Sequence, residues 1–416
     1  MANAQLYYNI RELMTLKGAS KKQGRSITDK DLGLVKNAAL VVEKGRVLWA
    51  GPESKCPRGL KFNKSVDCQR LNVFPGFIDC HSHMIFAGDR RNEFELRNKG
   101  ISYQDIAKQG GGILATVKAT RLATLDQLIH LGQQRVLGHL QQGVTTVEIK
   151  SGYGLNSKTE IKMLQAARSL KGPHIVTTFL GAHALPKAYQ SEVAYLARLE
   201  KDLHIIKKMG LSQRVDIFVE KGYFSTKAAR VYLNKAKALG FDITIHAEQM
   251  SRSGGALLAI EMGARSADHL IYPSASDKDK IAQAKNFTSV LLPNADLYLK
   301  FPFPDARGLL DRGGRVALAT DYNPGSSPTQ SLGLVGLLAR LEMKMSLCEV
   351  FVALTLGGSY ALGLENDRGV LLPGMSADFF MSPLSWRDFF YDLSSHQVQN
   401  LFVNGKEVYR GEKPKT

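Results

Sequence analysis

The order of apolar and polar positions divides the chain into two styles. Near the start, short β-rich runs alternate with turn residues: Gln5-Leu-Tyr-Tyr-Asn-Ile, Ala39-Leu-Val-Val-Glu and Arg46-Val-Leu-Trp-Ala-Gly. The end returns to that style with Ala377-Asp-Phe-Phe-Met and Asn400-Leu-Phe-Val-Asn-Gly-Lys-Glu-Val-Tyr. Runs of this kind bounded by Gly, Asn and Pro are strand signals. The middle is different: apolar runs alternate with stretches of helical period at 125–140, 157–170 and 225–239. The runs fall at 74–79, 144–149, 175–180, 215–220, 241–246, 266–270, 289–293 and 316–321. Eight strands in βα alternation predict a (β/α)8 barrel over residues 74–371. The two β-rich ends, 1–73 and 372–416, predict one small β-sandwich-like domain built from both termini.

A barrel carries its chemistry at the C-terminal ends of its strands, so the polar residues there are the ones to inspect. Strand one ends in His81-Ser82-His83. In an extended chain, residues i and i+2 point to one face, so two imidazoles can hold one metal ion. Strand five ends in His246 and strand eight in Asp321, which puts three nitrogens and one oxygen on a single rim. That donor set suits zinc or iron with a place left for water, whose pKa such a metal lowers towards ~7. Asp321 is then both ligand and acceptor of the water proton. His269, at the end of strand six beside Asp268, orients or deprotonates water or stabilises an oxyanion.

Composition narrows the setting. With 44% hydrophobic and 22% charged residues, the chain has enough apolar surface to bury a core and is not a disordered sequence. The four cysteines, Cys56, Cys68, Cys80 and Cys348, are scattered, which reads as reduced thiols in a cytoplasm. The stretch Met1-Ala-Asn-Ala-Gln lacks the pattern of a signal peptide, and no run of ~18 apolar residues occurs. The net charge of +17 would suit nucleic acid, an anionic membrane or an anionic small substrate. Apart from a cluster between Lys17 and Arg25, that charge is spread thinly, with no nucleic-acid motif and no aromatic interleaving. A solvated basic surface accounts for it, so neither nucleic acid nor membrane is the expected partner. The rival readings are a deaminase acting on a neutral ring and a nucleic-acid binder on a barrel without metal.

At these residues the chain resembles the amidohydrolase superfamily over nearly its whole length. The blocks that carry the resemblance begin with Pro75-Gly-Phe-Ile-Asp-Cys-His-Ser-His, Phe86-Ala-Gly-Asp-Arg-Arg-Asn-Glu-Phe and Gly110-Gly-Gly-Ile-Leu-Ala-Thr-Val. They continue with Glu148-Ile-Lys-Ser-Gly-Tyr-Gly-Leu, Phe179-Leu-Gly-Ala-His-Ala, His246-Ala-Glu-Gln and Thr320-Asp-Tyr-Asn-Pro-Gly-Ser-Ser-Pro. The Lys-Ser-Gly-Tyr-Gly-Leu and Asp-Tyr-Asn-Pro-Gly-Ser-Ser blocks are the most restrictive. The resemblance implies a distorted barrel that binds one Zn2+ or Fe3+ ion per subunit through His81, His83, His246 and Asp321. It implies a homodimer that opens the ring of 4-imidazolone-5-propanoate with water, a step of histidine degradation. Its carried-over substrate contacts are Arg90, Tyr153, His183, Gln249, Asn323, Gly325 and Ser326. Arg90 is a planar fork suited to the propionate, Tyr153 a hydrogen-bonding partner for ring or tail, and His183 a group to polarise the carbonyl. Asn323, Gly325 and Ser326 supply donors for a forming carboxylate. Gln249 cannot act as a base, so the proton work falls to Asp321 and His269. Lys221, after strand four, stands where some members carry a lysine that bridges two metals.

Overall fold

The computed structural model describes residues 4–101, 105–106, 110–393 and 398–411. Residues 1–3, 394–397 and 412–416 of the predicted β-rich ends lie outside the described residues. The early strands are β1 (Ala4–Met14), β2 (Leu34–Glu43), β3 (Arg46–Pro52), β4 (Phe62–Asp67) and β5 (Asn72–Pro75). With β14 (Phe379–Ser382), β15 (Asn400–Val403) and β16 (Lys406–Arg410) they form one mixed sheet. Its order is β16-β15-β14-β5-β1-β2-β3, with β4 beside β1. Asn404 and Gly405, both at positive φ, turn the chain between β15 and β16. The sheet buries its own aromatic core, where Phe379 stacks on Phe402 at 4.5 Å and Tyr7 meets Phe379 edge-on at 5.1 Å.

The second sheet is parallel and runs in sequence order. It comprises β6 (Phe77–Asp79), β7 (Val144–Lys150), β8 (His174–Ala182), β9 (Arg214–Val219), β10 (Asp242–Ala247), β11 (Ser266–His269), β12 (Thr288–Leu291) and β13 (Val316–Leu318). All eight predicted barrel strands are present. The predicted first strand, however, is two strands that part at Gly76. Residues before it pair with β14 and residues after it pair with β7. A Cβ at Gly76 would stand 2.2 Å from the Thr145 side chain, so only glycine passes there. The last predicted strand also stops early, because the Asp79 carboxylate draws off the Thr320 N–H at 3.0 Å.

The barrel closes by an unusual seam. At the top, Asp321 N–H donates to His81 O at 3.0 Å and His83 N–H donates to Tyr322 O at 2.8 Å. Lower down, the helical turns Ala353–Gly357 and Gly358–Leu362 lie between β13 and β6. A Cβ on Gly357 would come 2.4 Å from Val316 O, and one on Gly358 would come 3.0 Å from Ile78 O. Two adjacent glycines therefore let a helix pack closely against the edges of both strands. Part of the basic cluster also has a structural use: the Arg25 guanidinium donates to the carbonyls of Ala282, Gly313, Ala284 and Lys285.

Candidate metal centre and active site

Four side chains converge on one point at the top of the barrel. His83 Nε2 lies 3.3 Å from His81 Nε2 and 3.4 Å from His246 Nε2. Asp321 Oδ1 lies 3.4 Å from His81 Nε2 and 3.5 Å from His83 Nε2. A tetrahedron with bonds of about 2.1 Å has edges of about 3.4 Å, so these atoms have the spacing of a zinc-type ligand set. Burial pushes the His81 and His83 imidazoliums well below the usual histidine range, leaving neutral lone pairs to meet a cation. Burial likewise raises the Asp321 carboxyl to about 7. Asp321 is held at φ 50 and His269 at φ 80, a left-handed backbone that non-glycine residues adopt only where surroundings enforce it.

Below the ligands the barrel interior is charged. Asp268 Oδ2 lies 2.7 Å from His81 Nδ1, and Asp216 Oδ2 lies 2.9 Å from His246 Nδ1. Asp268 accepts the His81 Nδ1 proton and so directs that ring's Nε2 lone pair towards the metal point, while Asp216 stands at ion-pair distance from His246 Nδ1. The fully buried Lys150 ammonium lies 2.8 Å from Asp216, 3.0 Å from Glu148 and 3.3 Å from Asp268. Burial alone would lower this lysine, but Asp216, Glu148 and Asp268 outweigh it and hold the ammonium above its usual range. Arg214 Nε adds a second cation 3.3 Å from Glu148. Sequence reasoning assigned no role to Lys150, Glu148, Asp216 or Arg214. The available signal was Glu148 and Lys150 at i and i+2 in an otherwise buried strand, with Asp216 interrupting the apolar run of β9.

Above the ligands lies a small cavity. Of the predicted site residues, His83, Arg90, Tyr153, His183, His246, Gln249, His269, Asp321, Asn323 and Ser326 line it. Phe218, Tyr223 and Phe301 give it an apolar wall that sequence reasoning did not foresee. His183 stacks on His83 at 5.2 Å, and its Nδ1 lies 3.1 Å from Gly152 O. A carbonyl can only accept, so Nδ1 carries the proton. Burial lowers this imidazole to about 3, which leaves Nε2 as an acceptor. Arg90 is buried, and its Nε donates to Glu93 at 2.8 Å.

Gly325 does not line the cavity. It backs the Arg90 guanidinium so closely that a Cβ would stand 1.9 Å from it. The Gly325 and Ser326 N–H groups both donate to Asn323 Oδ1 at 2.8 Å, so these predicted donors are spent within the loop. Lys221 is exposed to solvent and its backbone N–H bonds Glu220, so it is not in the lumen as a bridging group.

The barrel and its rim of ligands define a class, and the chain belongs to the amidohydrolase family, whose model matches residues 72–408. The imidazolonepropionase of Bdellovibrio bacteriovorus is 51% identical over 408 residues, covering 97% of this chain and 96% of that protein. That of Bacillus velezensis is 40% identical over 410 residues, with 97% and 96% covered. Within the family, the chain groups with the imidazolonepropionases. Solved structures agree on the fold. A triazine hydrolase variant superposes with a TM-score of 0.76 at 17% identity, covering 99% of this chain and 96% of that one. An adenosine deaminase from Xanthomonas campestris, solved with bound zinc, gives 0.73 at 15%, covering 97% and 92%.

Proposed function

We propose that the chain hydrolyses the cyclic amide C–N bond of 4-imidazolone-5-propanoate to give N-formimidoyl-L-glutamate, a step in histidine degradation. The observation that carries this reading is one cavity with a four-ligand rim and a buried arginine, Arg90, on its wall. A small anionic ring substrate needs both.

A zinc or iron ion held by His81, His83, His246 and Asp321 supplies Lewis-acid chemistry, acidifying water and polarising a carbonyl. Arg90 pairs with the propionate and fixes the ring's direction. His183, an acceptor at Nε2, takes a ring N–H; the carbonyl-polarising role expected of it would need a donor there. Tyr153 and Gln249 hold the ring edge. Asp321 accepts the proton of the attacking water, and His269, which faces the same space, orients that water. As water oxygen bonds to the ring carbonyl carbon, the C–N bond breaks and the proton returns to the departing nitrogen. The product keeps its propionate and gains a second carboxylate.

One zinc or iron ion per chain fits this reading, because the buried carboxylates Glu148, Asp216, Asp268 and Asp321 outnumber the cations Lys150 and Arg214. The same reading includes a cytoplasmic homodimer. Among the described residues, no helix is long and apolar enough to cross a membrane.

The test is turnover of 4-imidazolone-5-propanoate against guanine and adenosine, before and after chelation. Turnover of the anionic ring alone, lost on chelation and restored by a divalent ion, is expected. Turnover of a neutral purine, or none of the imidazolone, would overturn the assignment.

A further inference from the structure

Lys150 stands where a second cation would. Two groups of described residues have the spacing to hold a metal ion: His81, His83 and His246, and, beneath them, Asp216, His246 and Asp268. The lower group already faces an ammonium, because Lys150 Nζ touches both of its carboxylates. The same oxygens also serve the ligands. Asp216 Oδ2 lies between Lys150 Nζ at 2.8 Å and His246 Nδ1 at 2.9 Å. Asp268 Oδ2 lies between Lys150 Nζ at 3.3 Å and His81 Nδ1 at 2.7 Å. One ammonium is thus yoked through two carboxylates to two ligand histidines on different strands.

The yoke is fixed from every side. Asp216 Oδ1 accepts the N–H groups of Ile217 and His246 at 2.7 and 3.2 Å. Asp268 Oδ1 accepts hydroxyls from Ser266 and Thr244 at 2.8 and 3.2 Å. Glu148, the third carboxylate on the ammonium, accepts from Thr178 and Arg214. The Lys150 N–H donates to Ser82 O at 2.9 Å, which ties the lysine's own strand to the residue between His81 and His83.

We propose that the Lys150 ammonium is a resident internal cation that fills the lower metal-competent cluster and, through Asp216 and Asp268, fixes the orientation and tautomer of His246 and His81. The chain consequently takes one metal ion, at the upper rim. Lys150 is a positioning residue, and this role rests on the metal reading given under Proposed function. Outer partners of ligating histidines typically govern 10–100-fold in metal affinity, so that is about the effect expected here.

The experiment measures Zn2+ stoichiometry and affinity on the metal-free full-length protein by chelator competition, with imidazole N–H resonances as a second readout. Wild type is expected to bind one Zn2+ per chain and to show protected Nδ1–H signals from His81 and His246. Lys150→Met is expected to weaken Zn2+ binding about 10–100-fold and to shift both signals. Glu148→Gln/Lys150→Met removes a carboxylate together with the ammonium, so it serves if the single variant does not fold, with the same loss expected. Asp268→Asn, which keeps Lys150, is expected to disturb the His81 signal alone. Variants that bind Zn2+ within about threefold of wild type with unchanged signals would overturn the positioning role. A wild type that binds two Zn2+ ions would overturn it as well. A wild type that binds none removes the metal reading itself, which is a separate and recognisable result.

Discussion

The two sides of the barrel interior are built on opposite principles. On the β7 to β11 side, Glu148, Lys150, Arg214, Asp216 and Asp268 meet in a fully buried network of ion pairs. On the β12, β13 and β6 side, Val290, Ala317, Ala319, Ile78 and Cys80 pack with Ala361 and Leu362 from the seam helix. Barrel interiors are ordinarily filled by branched apolar side chains, so the second side is the expected one. The first side carries desolvation costs that apolar packing would avoid. Those costs sit directly beneath His81 and His246, two of the candidate ligands. The polar side aims the candidate ligand histidines, and the apolar side holds the barrel shut and carries His81, His83 and Asp321 at its rim. Substitutions in the polar network should change metal affinity, and those in the apolar packing below the rim should change stability alone.

The sharpest way to break this contrast is at a ligand. His81→Ala is expected to abolish stable metal binding and to lower kcat by more than the ~100-fold typical of outer partners. Metal analysis and a steady-state assay read it, and a variant that retained both would undo the ligand assignment. Next is Arg90→Met, which touches the cavity wall and neither side of the interior. Loss of a charged hydrogen bond worth about 1.5–3 kcal/mol predicts a KM raised roughly 10–100-fold, with metal content unchanged. On the apolar side, Gly357→Ala forces a methyl against the Val316 carbonyl. It is expected to cost about 1–3 kcal/mol in a denaturant titration while leaving Zn2+ affinity alone.

The smallest effect comes from an exception to the contrast. Asp296, on the helix Pro293–Leu299 that follows β12, is fully buried, and neither of its carboxyl oxygens has a hydrogen-bond partner among the described residues. Burial, with Asp321 adding to it, pushes this carboxyl well above the usual range. A folded pKa above the unfolded one means that folding takes up a proton. Its contribution therefore destabilises progressively as pH rises above about 4. Asp296→Asn is expected to raise stability by about 1 kcal/mol at pH 7 and to flatten that pH dependence. An unchanged pH profile of the unfolding midpoint would contradict it.

Much of this was legible along the chain, for identifiable reasons. The eight strands stood out because each barrel strand is short, apolar and bounded by turn chemistry. The four candidate ligands, which the structure brings to one point, followed from the rule that places function at strand ends. The break at Gly76 was not legible, because its cause is distant: Gly76 N–H bonds Asp378 O, some three hundred residues away. Lys150 was hidden because a polar residue in a strand ordinarily marks the solvent face, whereas here the interior itself is polar. Lys221, at the position where some members carry a bridging lysine, is exposed because β9 ends at Val219 and the lysine lies beyond it. The His183 role changed because a tautomer is set by its acceptor, Gly152 O, which no spacing in the sequence reveals.

The glycine-lined seam has a consequence for biosynthesis. β6 is made early, but the helix that fills the gap beside it, residues 353–362, is made after all eight barrel strands. At roughly 5–20 residues per second, a ribosome needs on the order of 10–60 s to travel from one to the other. For most of that interval, until Asp321 is made, His81 and His83 wait for their seam partner, and the lower edge of β6 waits for residues 353–362. The nascent chain is thus an unclosed sheet with a charged interior and a free edge, the kind of species that chaperones shelter.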